Sequence, residues 1–294
     1  MMKTPLSAVL LLALAFCLPR PAASQERSYV GSETCLGCHS DYEDWMAGSV
    51  HQGLTRTDAA GEEASGCEAC HGPGSVHAED PSVEGAILPM TPGKDPKKTT
   101  DRCLDCHNAL FPEMSHRRSA HLRRGVSCTD CHAPSGSEAF HRMRAVEDVM
   151  ARRQPQLCYR CHTDQRAGFL LPYHHPVEEG YMGCTGCHTP HGGFELRKMR
   201  TRHAEPVCTS CHEDQQGPFV FEHPAGRASG CQVCHQPHGS TNAKMLTRPK
   251  VMFLCLECHP DTPAFHDVTK TEFQNCTACH SRIHGSNLNR NLLE

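Results

Sequence analysis

Read for alternation of apolar and polar positions, the chain gives one strong signal at its start and weak ones after it. Lys3 is followed by a mostly apolar run from Leu6 to Leu18 and then by the small residues Ala22, Ala23 and Ser24. That is the order of a secretory signal peptide, with cleavage expected after Ser24. The run is too short to cross a bilayer. A lipid anchor on Cys17 is the competing reading, which Phe16 just before it disfavours. The expected product is an exported chain of residues 25–294, with no later stretch that resembles a membrane-spanning helix.

Beyond residue 24, two segments read as short helices. They are SDYEDWMAGSVH (Ser40–His51) and AFHRMRAVEDVMARRQ (Ala139–Gln154), the second placing Met143, Val146, Val149 and Met150 near a 3.6-residue period. DPSVEGAILPMTPGKDPKKTT, from Asp80 to Thr100, reads as a Pro- and Lys-bearing linker. No convincing strand pattern is present. The expected fold is mostly irregular coil with a few short α-helices and little or no β structure.

Composition changes the picture. Hydrophobic residues are 38% of the chain and aromatics 5%, with a single Trp. A chain of this length ordinarily buries a large apolar core, and this one lacks the side chains to fill it. Removing residues 1–24 leaves 27 basic against 33 acidic residues, a net charge of −6. No concentrated basic surface suggests nucleic acid.

The chain has 21 cysteines. Cys17 leaves with the leader, and the other twenty all sit in Cys-x-x-Cys-His. The pairs are Cys35 and Cys38, Cys67 and Cys70, Cys103 and Cys106, Cys128 and Cys131, and Cys158 and Cys161. Then come Cys184 and Cys187, Cys208 and Cys211, Cys231 and Cys234, Cys255 and Cys258, and Cys276 and Cys279. Twenty cysteines in an exported chain would ordinarily suggest disulfides, but this motif is the attachment signature of c-type haem. Two thiols bond one porphyrin and the following imidazole becomes the proximal iron ligand. Those imidazoles are His39, His71, His107, His132, His162, His188, His212, His235, His259 and His280. A zinc site groups its ligands in fours and has no need of His after every second Cys. A dithiol oxidoreductase uses one reactive pair. Ten haem c groups are therefore expected, and their macrocycles supply the missing interior.

Of 23 histidines, thirteen do not follow a cysteine pair. Taken two motifs at a time, the chain divides into five dihaem units, at about 31–80, 100–145, 155–195, 205–242 and 252–288. Two further histidines recur in each unit. They are His51 and His77, His121 and His141, His175 and His191, His223 and His238, and His266 and His284. These ten are the expected distal ligands, leaving His116, His174 and His203 as spares. A lone His is more often a surface or structural residue, but a set recurring in five units is not. His174 against His175 and His116 against His121 are close choices, and which distal His serves which iron stays open. His191 and His238 stand three residues past a proximal ligand, too near to reach the opposite face of the same porphyrin, so a neighbouring haem is their expected partner. Arg117, Arg118, Arg123 and Arg124 suit haem propionates or a solvated basic face equally well.

A haem that moves electrons keeps both axial ligands, whereas substrate chemistry needs an open one. The supply of second ligands, with no Cys-x-x-Cys-Lys variant, predicts an electron carrier and not an enzyme. The motif count and order, CHGPGSVH, and the HPV…CTGCHTPHG and HPAG…CQVCHQPHGS pairs resemble the periplasmic decahaem cytochromes of the MtrA/PioA/DmsE type. The resemblance covers essentially all of residues 25–294. It implies a rod of bis-histidine haems seated in an outer-membrane β-barrel porin. It also implies a periplasmic or inner-membrane cytochrome on one side and an extracellular cytochrome, reductase, metal oxide or ferrous iron on the other. Direction of flow is not legible. A free periplasmic shuttle, a cytochrome-filament subunit and a multihaem reductase with one open haem are the competing readings.

Overall fold

With so few large side chains, the interior is sparse. The computed structural model describes residues 26–108, 116–133, 141, 154–192 and 205–293. Among the described residues an apolar cluster joins Tyr159, Phe169 and Val177, with Met182 packed against it.

Among the described residues there are twelve short α-helices, the longest running from Pro96 to His107. The first motif of each unit sits at the end of a helix: Ser32–Leu36, Pro96–His107, Gln154–Tyr159, Glu205–Thr209 and Val251–Leu256. The second motif is itself a single turn, α-helical at Cys67–His71 and Cys128–His132 and 3-10 at Cys184–Gly186, Cys231–Val233 and Cys276–Ala278. The motif histidine N–H closes onto the carbonyl of the first cysteine, for example His39 on Cys35 at 3.0 Å and His188 on Cys184 at 2.9 Å. One helical turn places residues i, i+3 and i+4 on one face. Both thiols and the imidazole therefore face the same way.

Two expectations need correction. The linker ends at Asp95, because Pro96 occupies the first helical position, where its missing N–H costs nothing, and Thr99 and Thr100 are fully buried on that helix. The helix expected over Ser40–His51 spans only Asp41–Met46 and is followed by Gly48 at φ 72°. Four strands exist. β1 (Thr55–Thr57) pairs antiparallel with β2 (Glu63–Ser65), and β3 (Phe221–Glu222) with β4 (Gly285–Ser286). At two or three residues each they are too short for alternation to register. The β3–β4 ribbon clasps the fourth unit to the fifth. The Ala139–Gln154 segment lies outside the described residues apart from His141 and Gln154, as do His203 and residues 1–25.

Glu68, between the cysteines of the second motif, is 1% exposed. Its carboxylate accepts from the backbone N–H groups of Val30, Gly31 and Gly74 at 2.8–3.1 Å. This one side chain ties the N-terminal segment to the first haem unit. Glu68→Ala strands three backbone donors, and at roughly 1 kcal/mol or more for each unmade bond it should cost about 3 kcal/mol or more. Hydrogen exchange of residues 26–31 in the intact protein measures that loss.

Candidate metal centres

Each motif histidine has another imidazole across from it. His39 faces His77, His71 faces His141, and His107 faces His51. His132 faces His191 and His162 faces His121. His188 faces His238, His212 faces His175, and His235 faces His284. His259 faces His223 and His280 faces His266. Ring centroids in these pairs are 5.8–6.4 Å apart. A metal–imidazole bond is about 2 Å and the nitrogen lies about 1.1 Å from its ring centre, so one metal between two imidazoles sets their centroids about 6.3 Å apart. The rings are too far apart for contact and correctly spaced for an iron. Among the described residues, no cluster of three or more His, Cys, Asp or Glu is arranged for a bare ion.

The pairing follows one rule. The first of the two recurring histidines of a unit reaches forward to the first motif of the next: His51 to His107, His121 to His162, His175 to His212, His223 to His259. The second reaches back to the second motif of the unit before: His141 to His71, His191 to His132, His238 to His188, His284 to His235. At the ends, where no neighbour exists, His77 and His266 fold onto their own units.

Nδ1 of several of these rings donates to a backbone carbonyl: His71 to Leu88 at 2.6 Å, His121 to Pro190 at 2.9 Å, and His175 to Pro237 at 2.7 Å. His235 donates to Lys244 at 2.9 Å and His280 to Asn291 at 2.6 Å. A carbonyl only accepts, so the proton sits on Nδ1 and the Nε2 lone pair is left for a metal. Sequence reasoning missed these carbonyls, since any residue supplies one. Pro190 and Pro237 stand just before His191 and His238, so the turn that presents one imidazole also steadies another. Gly239, at φ 144°, gives the backbone its close approach to Gly168 beside His238. Burial lowers the pKa of His51, His71, His132, His188, His223, His238 and His284. That favours the neutral, ligating form.

The spare histidines sit differently. His174 bonds the Leu171 carbonyl and pairs with Glu179 at 3.0 Å, which raises its pKa. His116 is buried, edge-on to His191 at 6.4 Å and 75°. Arg117 is engaged by Asp101 at 2.8 Å.

The twenty cysteines form no disulfide, and they are set out in a fixed order. Within each unit the first cysteines touch: Cys35 with Cys67, Cys103 with Cys128, Cys158 with Cys184, Cys208 with Cys231, Cys255 with Cys276. Between units the second cysteines lie within electrostatic range of each other: Cys70 and Cys106, Cys131 and Cys161, Cys187 and Cys211, Cys234 and Cys258. Successive motifs therefore lie side by side in chain order.

Ring-plane angles divide the pairs. His51/His107, His121/His162 and His175/His212 cross at 87°, 69° and 58°, while the other seven lie between 3° and 34°. Ligand orientation sets the splitting of the iron d orbitals, which parallel planes enlarge and perpendicular planes cancel. Electron paramagnetic resonance of the oxidised protein should show two low-spin classes in a ratio near seven to three.

Comparison with known proteins identifies multihaem c-type cytochromes as relatives. Residues 120–167, 174–217 and 223–264 match the family model for the doubled CXXCH motif, and residues 80–133 match that for cytochrome c554 and c-prime. The chain is 30% identical over 217 residues to the multiheme cytochrome MtrA of Shewanella baltica (strain OS185), across 70% of this chain and 60% of that protein. It is 24% identical over 210 residues to the C-type polyheme cytochrome OmcB of Geobacter sulfurreducens, and 25% over 225 residues to OmcC. The chain spans about a quarter of the length of those two.

Proposed function

Because the chain belongs to the MtrA family of multihaem c-type cytochromes, we propose that it is the decahaem electron wire of a porin–cytochrome conduit. Its residues 1–24 direct export, and residues 25–294 carry electrons between the periplasm and the cell exterior. Haem c, when bound, supplies iron that takes up and releases one electron. The chain's own residues do the rest. Each Cys-x-x-Cys pair would anchor one porphyrin, and the motif histidine and its facing imidazole would both hold its iron. With two protein ligands so placed, the haem would supply electron transfer rather than substrate chemistry.

The observation that carries this reading is the run of ten imidazole pairs at iron-spanning distance, with the motifs laid side by side in chain order. The β-barrel partner, the periplasmic or inner-membrane cytochrome, and an extracellular cytochrome or reductase come from the family resemblance. No helix among the described residues is long and apolar enough to cross a membrane. Affinity purification of the tagged protein from its host's outer membranes tests the conduit. A β-barrel should co-purify in about one-to-one ratio, and recovery from the soluble periplasm alone would replace the conduit with a free shuttle.

A further inference from the structure

Charge is unevenly spread along the chain. Residues 26–80 hold eleven Asp and Glu against two Arg, a net charge of −9, whereas residues 81–294 sum to +3. Nine of the eleven acids are exposed, among them Asp41, Glu43 and Asp44 on the Asp41–Met46 helix. Glu68 is instead buried within the second motif, next to Cys67. The last stretch, residues 243–294, carries six basic against five acidic residues.

The C-terminal pair differs in a second way. Nδ1 of His266 is buried with no hydrogen-bond partner. The rings of Phe265 and Phe273 flank it at 4.3 and 5.7 Å. An Nδ1–H bonded to a carbonyl makes its imidazole a more basic ligand, which stabilises ferric iron. His71, in the first unit, has that bond and His266 does not, so at the last site only the facing ring, His280, is bonded this way, to the Asn291 carbonyl. Ferric haem also carries one more positive charge than ferrous, so nearby carboxylates favour it and lower the reduction potential.

Resting on the double-histidine reading above, we infer that the wire is redox-polarised. The His39/His77 and His71/His141 sites have its lowest potentials and the His266/His280 site its highest. At partial reduction the electrons reside at the C-terminal end. Each internal step moves one electron from a ferrous iron to its ferric neighbour, with no proton and no bond made or broken.

A mediated redox titration of the full holoprotein, followed in the visible spectrum, reads both edges of its potential window. Glu68→Gln should raise the lower edge, with about a tenfold change in the electron-exchange constant, or 59 mV for a one-electron couple, and leave the upper edge in place. Phe273→Gln, which sets an amide oxygen beside His266 Nδ1, should lower the upper edge alone. Should Glu68→Gln disturb the fold, the exposed triple variant Asp41→Asn/Glu43→Gln/Asp44→Asn raises the lower edge by itself. Its effect should fade at 1 M salt, where the Debye length is about 3 Å. A variant that moves the opposite edge, or variants that leave both edges unmoved, would overturn the polarity. Haem content and spin state are measured on the same samples. Fewer than ten haems, or high-spin iron in the parent protein, would instead strike the ligation reading on which this inference rests.

Discussion

In His191→Ala, one iron in ten should turn high-spin, and it should be the iron bonded by His132 in the preceding unit. The iron bonded by His188, three residues from the substitution, should stay low-spin. The distances decide this. His191 lies 6.0 Å from His132 with rings 11° from parallel, and the ring facing His188 is His238 at 5.8 Å. A chain of self-contained units would behave in the opposite way. The affected iron is identified by attachment: removing Cys128 and Cys131 together with His191 should abolish the high-spin signal, and removing Cys184 and Cys187 should not. His121, whose Nδ1 donates to Pro190, is a local witness. Disturbance of the Pro190 turn should broaden the signal of the His121/His162 site while leaving it six-coordinate.

A chain ending at Thr247 should lose more than its last two haems. Eight motifs remain, but His284, the imidazole facing His235, is gone. The expected product has seven low-spin irons and one high-spin iron at His235, and His223 is left without its His259 partner. The truncation also removes β4, and with it the ribbon that holds the fourth unit to the fifth. Spectra of the purified truncated protein, with haem counted by pyridine haemochrome, read both effects. Eight low-spin irons would show that units are closed on themselves and that the forward-and-back lacing is wrong.

Much of this was legible in the sequence because haem attachment is local. Cys-x-x-Cys-His makes one helical turn wherever it occurs, so the anchors and motif histidines could be read without a fold. The recurrence of two further histidines per unit marked the facing rings. Their partners could not be read, since whether His51 faces His39 or His107 depends on how units stack, and spacing along the chain says nothing of that. The acceptors behind the rings were invisible for a different reason. Leu88, Pro190, Pro237, Lys244 and Asn291 contribute only backbone carbonyls. Glu68 was hidden inside a motif whose intervening positions are otherwise free. The short ribbons β1–β2 and β3–β4 and the helix from Pro96 arise from tertiary contacts, among them Arg56 and Arg102 donating to the Ala69 carbonyl. Local apolar pattern gave no sign of them.

The proposed wire requires ten irons, each held between two imidazoles. Pyridine haemochrome and electron paramagnetic resonance on one sample of the oxidised full-length protein test that together. The expected result is ten haems per chain with every iron low-spin. Fewer than ten haems, or one clear high-spin signal, would contradict the wire and direct attention to the open iron as a site of chemistry.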